Sequence, residues 1–503
     1  MFRRSASYVA PFALAFASSV AQAQTAPAAA AKPVAAAAQP TNLAPPPAPP
    51  GATGPDAPVS KVTESLEAKL ASMQRGNGLT SDQAAQRAVA TNVDVVGKSK
   101  TIAAADATVD QAKAGFYPSL QVQARYTRLS HITLAPIAFV PGQPAIPNPF
   151  PVFLNNYSAQ ATLNVPLSDY VLRMSNSIAS ANHSKYSAQI DEQATRLAVA
   201  RDARVDYYQW IRAQGASYVA QQALEAARGH WTDAKNAFEA GLVSRADVLR
   251  AQSQVKSAEL TVAHWNNGVA ISTEQLRVAM GDPSSVNYEI GENILTDLSP
   301  FPVPPTADAA YGEALERRLE MKQLGESEAA LREQANAARA GNYPRLDAQA
   351  NAYYANPNQR YQPAEDKWHA TWDASIVLSW TPTNIFGAQA QAKVADAHAD
   401  EIASKKSALK NALRLEVSQS MNALAEATFA LDASREGLAA SEESYRVRRE
   451  LFRAGKSTVV EVTDAETDLT RARLEVVNAH VDLRIARVAL AHALGRDVAQ
   501  PQQ

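Results

Sequence analysis

The residue types that most often carry enzyme chemistry are absent or scattered in this sequence. It contains no cysteine, which excludes disulfides, thiolate metal sites, cysteine nucleophiles and a lipid on an N-terminal cysteine. The eight histidines show neither an HExxH nor an HxxxH spacing, and Gly76-Asn77-Gly78 is not a phosphate-binding loop. We therefore predict that the protein is not an enzyme and uses no cofactor or metal.

Carboxylates in two related places are more distinctive. Asp247 follows Gly241, while Glu461 and Asp464 follow Gly455. All three fall in the first turns of predicted helices, where acidic side chains interact favourably with the helix dipole. They can be ordinary solvated residues, and any further role depends on the elements that position them.

Those elements are organised by an internal repeat, in which two halves of the chain align with each other. The two offsets between matching segments differ, so the first half must carry an insertion. A Pro-rich segment between His131 and Asn155 accounts for it. The matching pairs are Phe238–Ala251 with Phe452–Ala465, Met280–Gly281 with Leu494–Gly495, and Gly115–Leu120 with Gly341–Leu346.

Each half contains two runs in which apolar and polar residues alternate with a period of two, a pattern typical of strands with one apolar face. The runs suit transmembrane strands with the apolar face toward lipid, and half-buried soluble hairpins are the alternative. Small barrels need about eight strands, so four strands imply an oligomer, and three copies would supply twelve. The runs are Leu120–Tyr126, Tyr157–Val165, Leu346–Ala352 and Trp368–Leu378.

Long helical stretches connect the strand pairs. Residues 170–240 and 389–454 would each span on the order of 100 Å as unbroken helices. Further helices are predicted over 80–114 and 307–340, and after each of Gly241 and Gly455. The last of these has a heptad pattern, Val462, Leu469, Val476, Leu483 and Leu490, with an alanine three residues after each. Sustained heptads predict a left-handed coiled coil with close helix packing.

The N-terminus has the three parts of a secretory signal, namely Arg3 and Arg4, an apolar stretch and the triplet Ala21-Gln22-Ala23. The apolar stretch is shorter than the roughly 20 residues of a membrane span. No later segment resembles a membrane helix, so membrane insertion would require strands. A net charge of -2 gives no basic face for nucleic acid.

These patterns predict six segments. They are a signal peptide (1–23), a disordered Ala/Pro-rich leader (24–60), a first structural repeat (61–281), a Pro-rich linker (282–305), a second repeat (306–495) and a C-terminal tail (496–503).

From about Leu79 to Gly495 the sequence resembles the TolC-like outer-membrane efflux protein family. The resemblance rests on the duplicated Tyr-Pro pairs before the strands, the duplicated Ala-Gly turns and the Ala-rich heptads. It implies a mainly α fold with a transmembrane β-barrel, built as a homotrimer with twelve barrel strands in the outer membrane and a helical tunnel across the periplasm. It also implies a passive channel for tripartite efflux or type I secretion, with a periplasmic adaptor (membrane fusion) protein, an inner-membrane pump and outer-membrane lipid as partners.

The resemblance assigns the two glycine turns to the periplasmic tip. The residues implied in adaptor docking are Gly241, Leu242, Gly455 and Lys456, and those implied in narrowing the entrance are Asp247, Glu461 and Asp464. A threefold ring of carboxylates at a narrow pore would attract cations and could gate by mutual repulsion.

The sequence departs from the family in one place at this tip. Family members can hold the closed tip with an arginine two residues after the second glycine, and Ser457 occupies that position here. Lys456 and Arg453 are the neighbouring cations that could replace it.

A secreted or periplasmic coiled-coil scaffold or adaptor without a pore is the alternative class. It would not explain why alternating strands occur at the same point of both repeats. Drug, metal and protein export share the conduit architecture, so the sequence leaves the exported substrate open.

Overall fold

The computed structural model describes residues 74–137, 146, 152–296, 298 and 301–498. The predicted signal peptide and leader lie outside the described residues, as does most of the Pro-rich insertion. The segment boundaries predicted above therefore remain predictions.

The first half contains two strands that enter the main sheet, two shorter helices before them and two long helices after them. Its elements are β1 (Gln74–Leu79), α1 (Ser81–Thr91), α2 (Val93–Ala114), β2 (Ser119–Arg128), β3 (Asn155–Val165), α3 (Ser175–Glu239) and α4 (Arg245–Met280). A helical turn at Leu167–Asp169 and a π-helical turn at Tyr170–Met174 precede α3.

The second half repeats this order. Its elements are α5 (Ala307–Arg317), α6 (Leu319–Arg339), β4 (Arg345–Asn356), β5 (His369–Ser379), α7 (Asn384–Arg453) and α8 (Val459–Ala493), with short 3-10 turns at Ala340–Asn342 and Arg496–Val498. The mainly helical class with a duplicated strand–helix repeat is thus confirmed.

The helices predicted over 80–114 and 307–340 are each divided in two. Asn92 has an extended backbone, and its side chain accepts hydrogen bonds from the amides of Asp94 and Val95, so it caps α2 and ends α1. Arg318 is also extended and separates α5 from α6. The prediction of unbroken helices here was wrong because apolar periodicity continues across a cap without showing the local change in backbone.

The heptad seam of α8 is buried as predicted. Val462, Leu469, Val476 and Leu490 are buried, and so are the alanines that follow each of them by three residues. The helix pairs with α7 across the turn at Gly455 and also contacts α3, just as α4 pairs with α3 across the turn at Gly241. Alanine at the seam lets neighbouring helices approach closely.

The four predicted strands form one antiparallel sheet in the order β2-β3-β4-β5. The hairpins β2–β3 and β4–β5 are joined because β3 also pairs with β4, with Ala161 opposite Ala352. The sheet leaves β2 and β5 at its edges. One face carries large apolar side chains that are exposed in the single chain, among them Val122, Trp372 and Ile376.

The Pro-rich linker contributes to the core rather than only joining the repeats. Ile290 forms parallel bridges with Gln74 and Leu79 of β1. Ile294 lies in a buried cluster with Trp210 of α3 and Leu276 of α4. Among the described residues, no helix is both long enough and apolar enough to cross a membrane.

Candidate functional site

The turn between α3 and α4 is built around Gly241, which has a φ of 71°. The amide of Gly241 donates to the carbonyl of Phe238 at 2.9 Å, and the amide of Leu242 donates to that of Ala237 at 2.9 Å. This pair of bonds is the Schellman arrangement, in which a left-handed residue satisfies the last carbonyls of a helix. Glycine is suited to this position because it has no Cβ to clash with the backbone.

The turn between α7 and α8 has the same geometry. Gly455 also has a φ of 71°, and its amide donates to the carbonyl of Phe452 at 2.9 Å. The amide of Lys456 donates to the carbonyl of Leu451 at 2.8 Å. The aligned sequences around Gly241 and Gly455 therefore fold into matching helix ends.

Both turns lie at the same end of the helices. Nε2 of His230 in α3 is 3.0 Å from Oε2 of Glu466 in α8, which connects the two hairpins. The turns at Gly241 and Gly455 are each about 16 Å from this contact along their helices, at about 1.5 Å per residue. The sheet is at the opposite ends of α3 and α7.

Asp247 belongs to a capping box at the start of α4. Its carboxylate accepts hydrogen bonds from the hydroxyl of Ser244 at 2.7 Å and from the amide of Ser244 at 3.0 Å. These bonds lower the pKa of Asp247, first through the hydroxyl and then through the amide. Asp247 is therefore the third helical residue of a capping box whose N-cap is Ser244, and it stabilises the start of α4.

Glu461 has two partners outside its own helix. Its Oε2 accepts a hydrogen bond from the hydroxyl of Ser457 at 2.5 Å and another from Nη1 of Arg448 at 3.1 Å. The hydroxyl is the main cause of a lowered pKa for Glu461, and the charge of Arg448 adds to it. Glu461 is therefore an exposed carboxylate held ionised beside the turn.

The other predicted site residues are exposed around the turns. Asp464 is exposed in the second turn of α8, and Leu242 is 80% exposed beside Gly241. Lys456 is exposed as well. Asp247 begins α4 of one hairpin, whereas Glu461 and Asp464 lie near the start of α8 in the other.

A cavity of about 220 Å³ lies between α3, α4 and α8, next to the contact of His230 with Glu466. The hydroxyl oxygen of Tyr445 lies 3.1 Å from Nε2 of the same histidine, within hydrogen-bond distance. Most of the other residues around the cavity are alanine, serine or threonine, including Ala223, Ser257 and Thr467. The described residues contain no group of histidine or acidic side chains suited to hold a metal ion.

Comparison with known proteins gives the same architecture. Residues 84–282 and 310–496 match the family described as outer membrane efflux protein. The chain belongs to this family. Over 269 residues it is 25% identical to outer membrane protein TolC of Escherichia coli, an alignment that covers 51% of this chain and 53%, about half, of TolC. It is 21% identical to the toluene efflux pump outer membrane protein TtgC of Pseudomonas putida, over 68% of this chain and 69% of TtgC.

Solved structures of outer-membrane channels share the fold. CusC superposes with a TM-score of 0.70 at 14% sequence identity, over 84% of this chain and 93% of CusC. The Campylobacter jejuni CmeC outer membrane channel superposes with a TM-score of 0.68 at 14% identity, over 90% of this chain and 96% of CmeC. As an outer membrane efflux protein, the chain is assigned to the outer membrane and extends into the periplasm.

Sequence reasoning missed the partner of Glu461 in this outer membrane efflux protein. The cation that contacts Glu461 is Arg448, in the last turns of α7. Replacement of the arginine at position 457 by Lys456 or Arg453 stays a prediction. Arg448 and Glu461 lie on different helices, so the periodicity of neither helix indicates that they meet. The cavity beside His230 was missed for a similar reason, since its walls come from three helices.

Proposed function

We propose that the chain is the outer-membrane component of a tripartite efflux or type I secretion system and acts as a passive trimeric conduit gated at its periplasmic tip. The observation that carries this proposal is the pair of matching turns at Gly241 and Gly455. They lie at one end of the paired helices, with acidic residues near the start of each following helix, and the four-stranded sheet lies at the other end.

The open edges of the sheet support the trimer. β2 and β5 are edge strands of 10 and 11 residues, and long edge strands offer unpaired backbone groups to another chain. Pairing β5 of one copy with β2 of the next would close a barrel and leave no edge. Three copies give twelve strands, enough to enclose a lumen.

The two faces of the same sheet differ in polarity, as expected for the wall of a membrane barrel. Large side chains such as Leu120, Trp372 and Ile376 are exposed on one face, where lipid would cover them. The other face carries polar side chains, including the hydrogen-bonded Thr162, Asn351 and Asp373. A polar face toward the lumen would be hydrated in the open channel.

The exposed residues at the two glycine turns support a proposal for the partner proteins. Exposed Leu242 and Lys456 at the turns are the proposed docking points of a periplasmic adaptor, which would connect the conduit to an inner-membrane pump. Glu461, Asp464 and Asp247 are the proposed entrance carboxylates. TtgC is named for toluene efflux, but nothing in the site of this chain favours one cargo, so the pump is proposed to select the substrate.

Single-channel conductance of the detergent-purified protein in a planar bilayer tests the proposal. We expect wild type to insert with low, cation-selective conductance. The double variant Glu461→Ala plus Asp464→Ala should conduct more or lose selectivity, because the carboxylates near the turn are removed. A matched control is Asp468→Ala plus Glu475→Ala, which removes two exposed acids farther along α8.

Folded protein that forms no channels would contradict the conduit and favour a coiled-coil scaffold without a pore. Channels whose conductance and selectivity respond equally to both double variants would keep the conduit but reject the assigned entrance.

A further inference from the structure

A second cavity lies about midway along α3 and near the C-terminal end of α8, remote from the glycine turns. It has a volume of about 570 Å³, within the usual range of small-molecule sites. Asp82 and Asp497 also line it. Five of its lining residues are arginines, namely Arg201, Arg204, Arg484, Arg487 and Arg496.

Three of these arginines have carboxylate partners. Arg201 pairs with Asp202 at 2.7 Å, Arg204 with Asp82 at 3.0 Å, and Arg496 with Glu313 at 2.7 Å. The remaining lining acid, Asp497, is 2.6 Å from Nδ1 of His492. These contacts use both lining carboxylates of the cavity.

Arg484 and Arg487 have no carboxylate within ion-pair distance among the residues that the structure describes. Arg484 is only 4% exposed, and its guanidinium donates to the carbonyls of His480, Asn293 and Thr296 at 3.0 to 3.3 Å. Arg487 is half-buried, with its guanidinium 5.5 Å from the ring centroid of Phe301.

The nearby acid Glu292 is already engaged. It accepts from the amide and the hydroxyl of Ser81, both at 2.6 Å, and from the hydroxyl of Tyr208 at 3.3 Å. Burial lowers the pKa of both Arg484 and Arg487, which indicates that surrounding negative charge does not offset their desolvation.

A buried guanidinium that has no carboxylate partner carries a desolvation cost that an anion would offset. Arginine recognises carboxylate and phosphate groups with two parallel hydrogen bonds, and Arg487 has such donors free of carboxylates. Apolar residues complete the wall beside these cations. They are Leu298, Phe301, Val488 and Ala491.

We propose that this cavity binds a small organic oxyanion, with its phosphate or carboxylate group at Arg487, close to the charge of Arg484, and its apolar portion against Phe301. A lipid headgroup at the sheet is excluded as the source by distance. Arg201 is roughly 40 Å along α3 from the sheet end of that helix at about 1.5 Å per residue. The proposal does not depend on the channel function.

Calorimetric titration of the full-length protein in a non-ionic detergent with phenyl phosphate and with inorganic phosphate tests this site. We expect one phenyl phosphate to bind per chain and to bind several-fold more tightly than phosphate, because the phenyl group contacts the apolar wall. Arg487→Gln should weaken binding of both ligands by about tenfold or more, since a charge-assisted hydrogen bond is lost. Phe301→Ala should remove only the advantage of phenyl phosphate.

Arg471→Gln is the matched control, because Arg471 is an exposed arginine of the same helix that pairs with Asp468 at 3.0 Å. Arg487→Lys keeps the charge but cannot make two parallel hydrogen bonds, so it should recover only part of the affinity lost in Arg487→Gln. This partial recovery guards against a folding defect in the glutamine variant. Absence of saturable binding to wild type would overturn the proposal. The proposal would also be overturned if Arg487→Gln and Arg471→Gln bound phenyl phosphate with equal affinity.

Discussion

Two side chains near the Gly455 turn favour the ionised form of Glu461, one of the proposed entrance carboxylates. The hydroxyl of Ser457 and the guanidinium of Arg448 both contact Oε2 of Glu461. They stabilise the carboxylate over the neutral acid, so Glu461 stays ionised to a lower pH than an isolated glutamate. Ser457 thus contacts a proposed entrance carboxylate directly, although position 457 lacks the family's arginine.

A pH dependence follows from this contact. In Ser457→Ala the pKa of Glu461 should rise toward its ordinary value of 4.5, because the largest cause of its lowering is removed. Cation selectivity should then fall at a higher pH than in wild type as the bath is acidified, with no difference near pH 7. Reversal potentials in a salt gradient measure this. The control is Ser434→Ala, which should behave as wild type, because the hydroxyl of Ser434 donates to the carbonyl of Leu431 within the same helix.

The positive φ at Gly455 gives a second prediction at this scale. A Cβ there would meet no atom within 4 Å, so the cost of Gly455→Ala is one of backbone conformation alone. We expect destabilisation by about 1–2 kcal/mol, the cost of the left-handed region for an L-residue. Gly437→Ala, at an equally open position inside α7, should instead stabilise by about 0.5–1 kcal/mol. Thermal unfolding followed by helical circular dichroism separates the two, and a shift of equal sign for both would contradict this account.

Among the elements, the contact between α3 and α8 joins the two repeats. Gly215 of α3 lies against Val477 of α8, and a Cβ at position 215 would be 2.8 Å from Cγ1 of Val477. The side chain of Val477 is fully buried. The absence of a side chain at position 215 therefore sets how closely the two helices approach.

Gly215→Ala should destabilise the protein by about 1 kcal/mol or more, since overpacking outweighs the gain in helix propensity. Val477→Ala should also destabilise, because it leaves a cavity. The double variant should be more stable than the sum of the two effects predicts, by about 1 kcal/mol, because the new methyl group occupies the vacated space. A double-mutant cycle of unfolding free energies measures this coupling, and strictly additive effects would show that the two residues do not share that space.

For the whole molecule, the proposed function places the four-stranded sheet in the membrane. Ile376 is 72% exposed on the apolar face of β5, and the adjacent Ser375 is exposed on the polar face. The same substitution at Ile376 and at Ser375 therefore probes the two faces of one strand.

Ile376→Arg should reduce assembly in the outer membrane, because an arginine on the lipid face costs about 2–4 kcal/mol near the bilayer midplane. Ser375→Arg should assemble normally, because its side chain would enter the watery lumen. Membrane fractionation followed by detection of heat-stable trimers measures both variants. Equal loss of trimers in both would mean that the faces are assigned wrongly.

The sequence by itself determined the repeat, the strands with their faces, the long helices and the two glycine turns. These features are local. Alternation with a period of two follows from the strand, heptads follow from the coiled coil, and a left-handed turn after a helix favours glycine. The order of residues along the chain was therefore enough to place Asp247, Glu461 and Asp464 in the first turns after Gly241 and Gly455.

Only the tertiary structure decided which distant groups meet. Pairing of β3 with β4 joins residues from different repeats, as in the 2.8 Å bond between Thr162 and Asn351. The contact of Arg448 with Glu461 depends on how α7 and α8 pack beyond their turn. The cavity beside Arg484 and Arg487 depends on where α3 and the linker lie relative to α8. Periodicity describes which face of an element is apolar, but it carries no information on which charged group of another element will lie opposite.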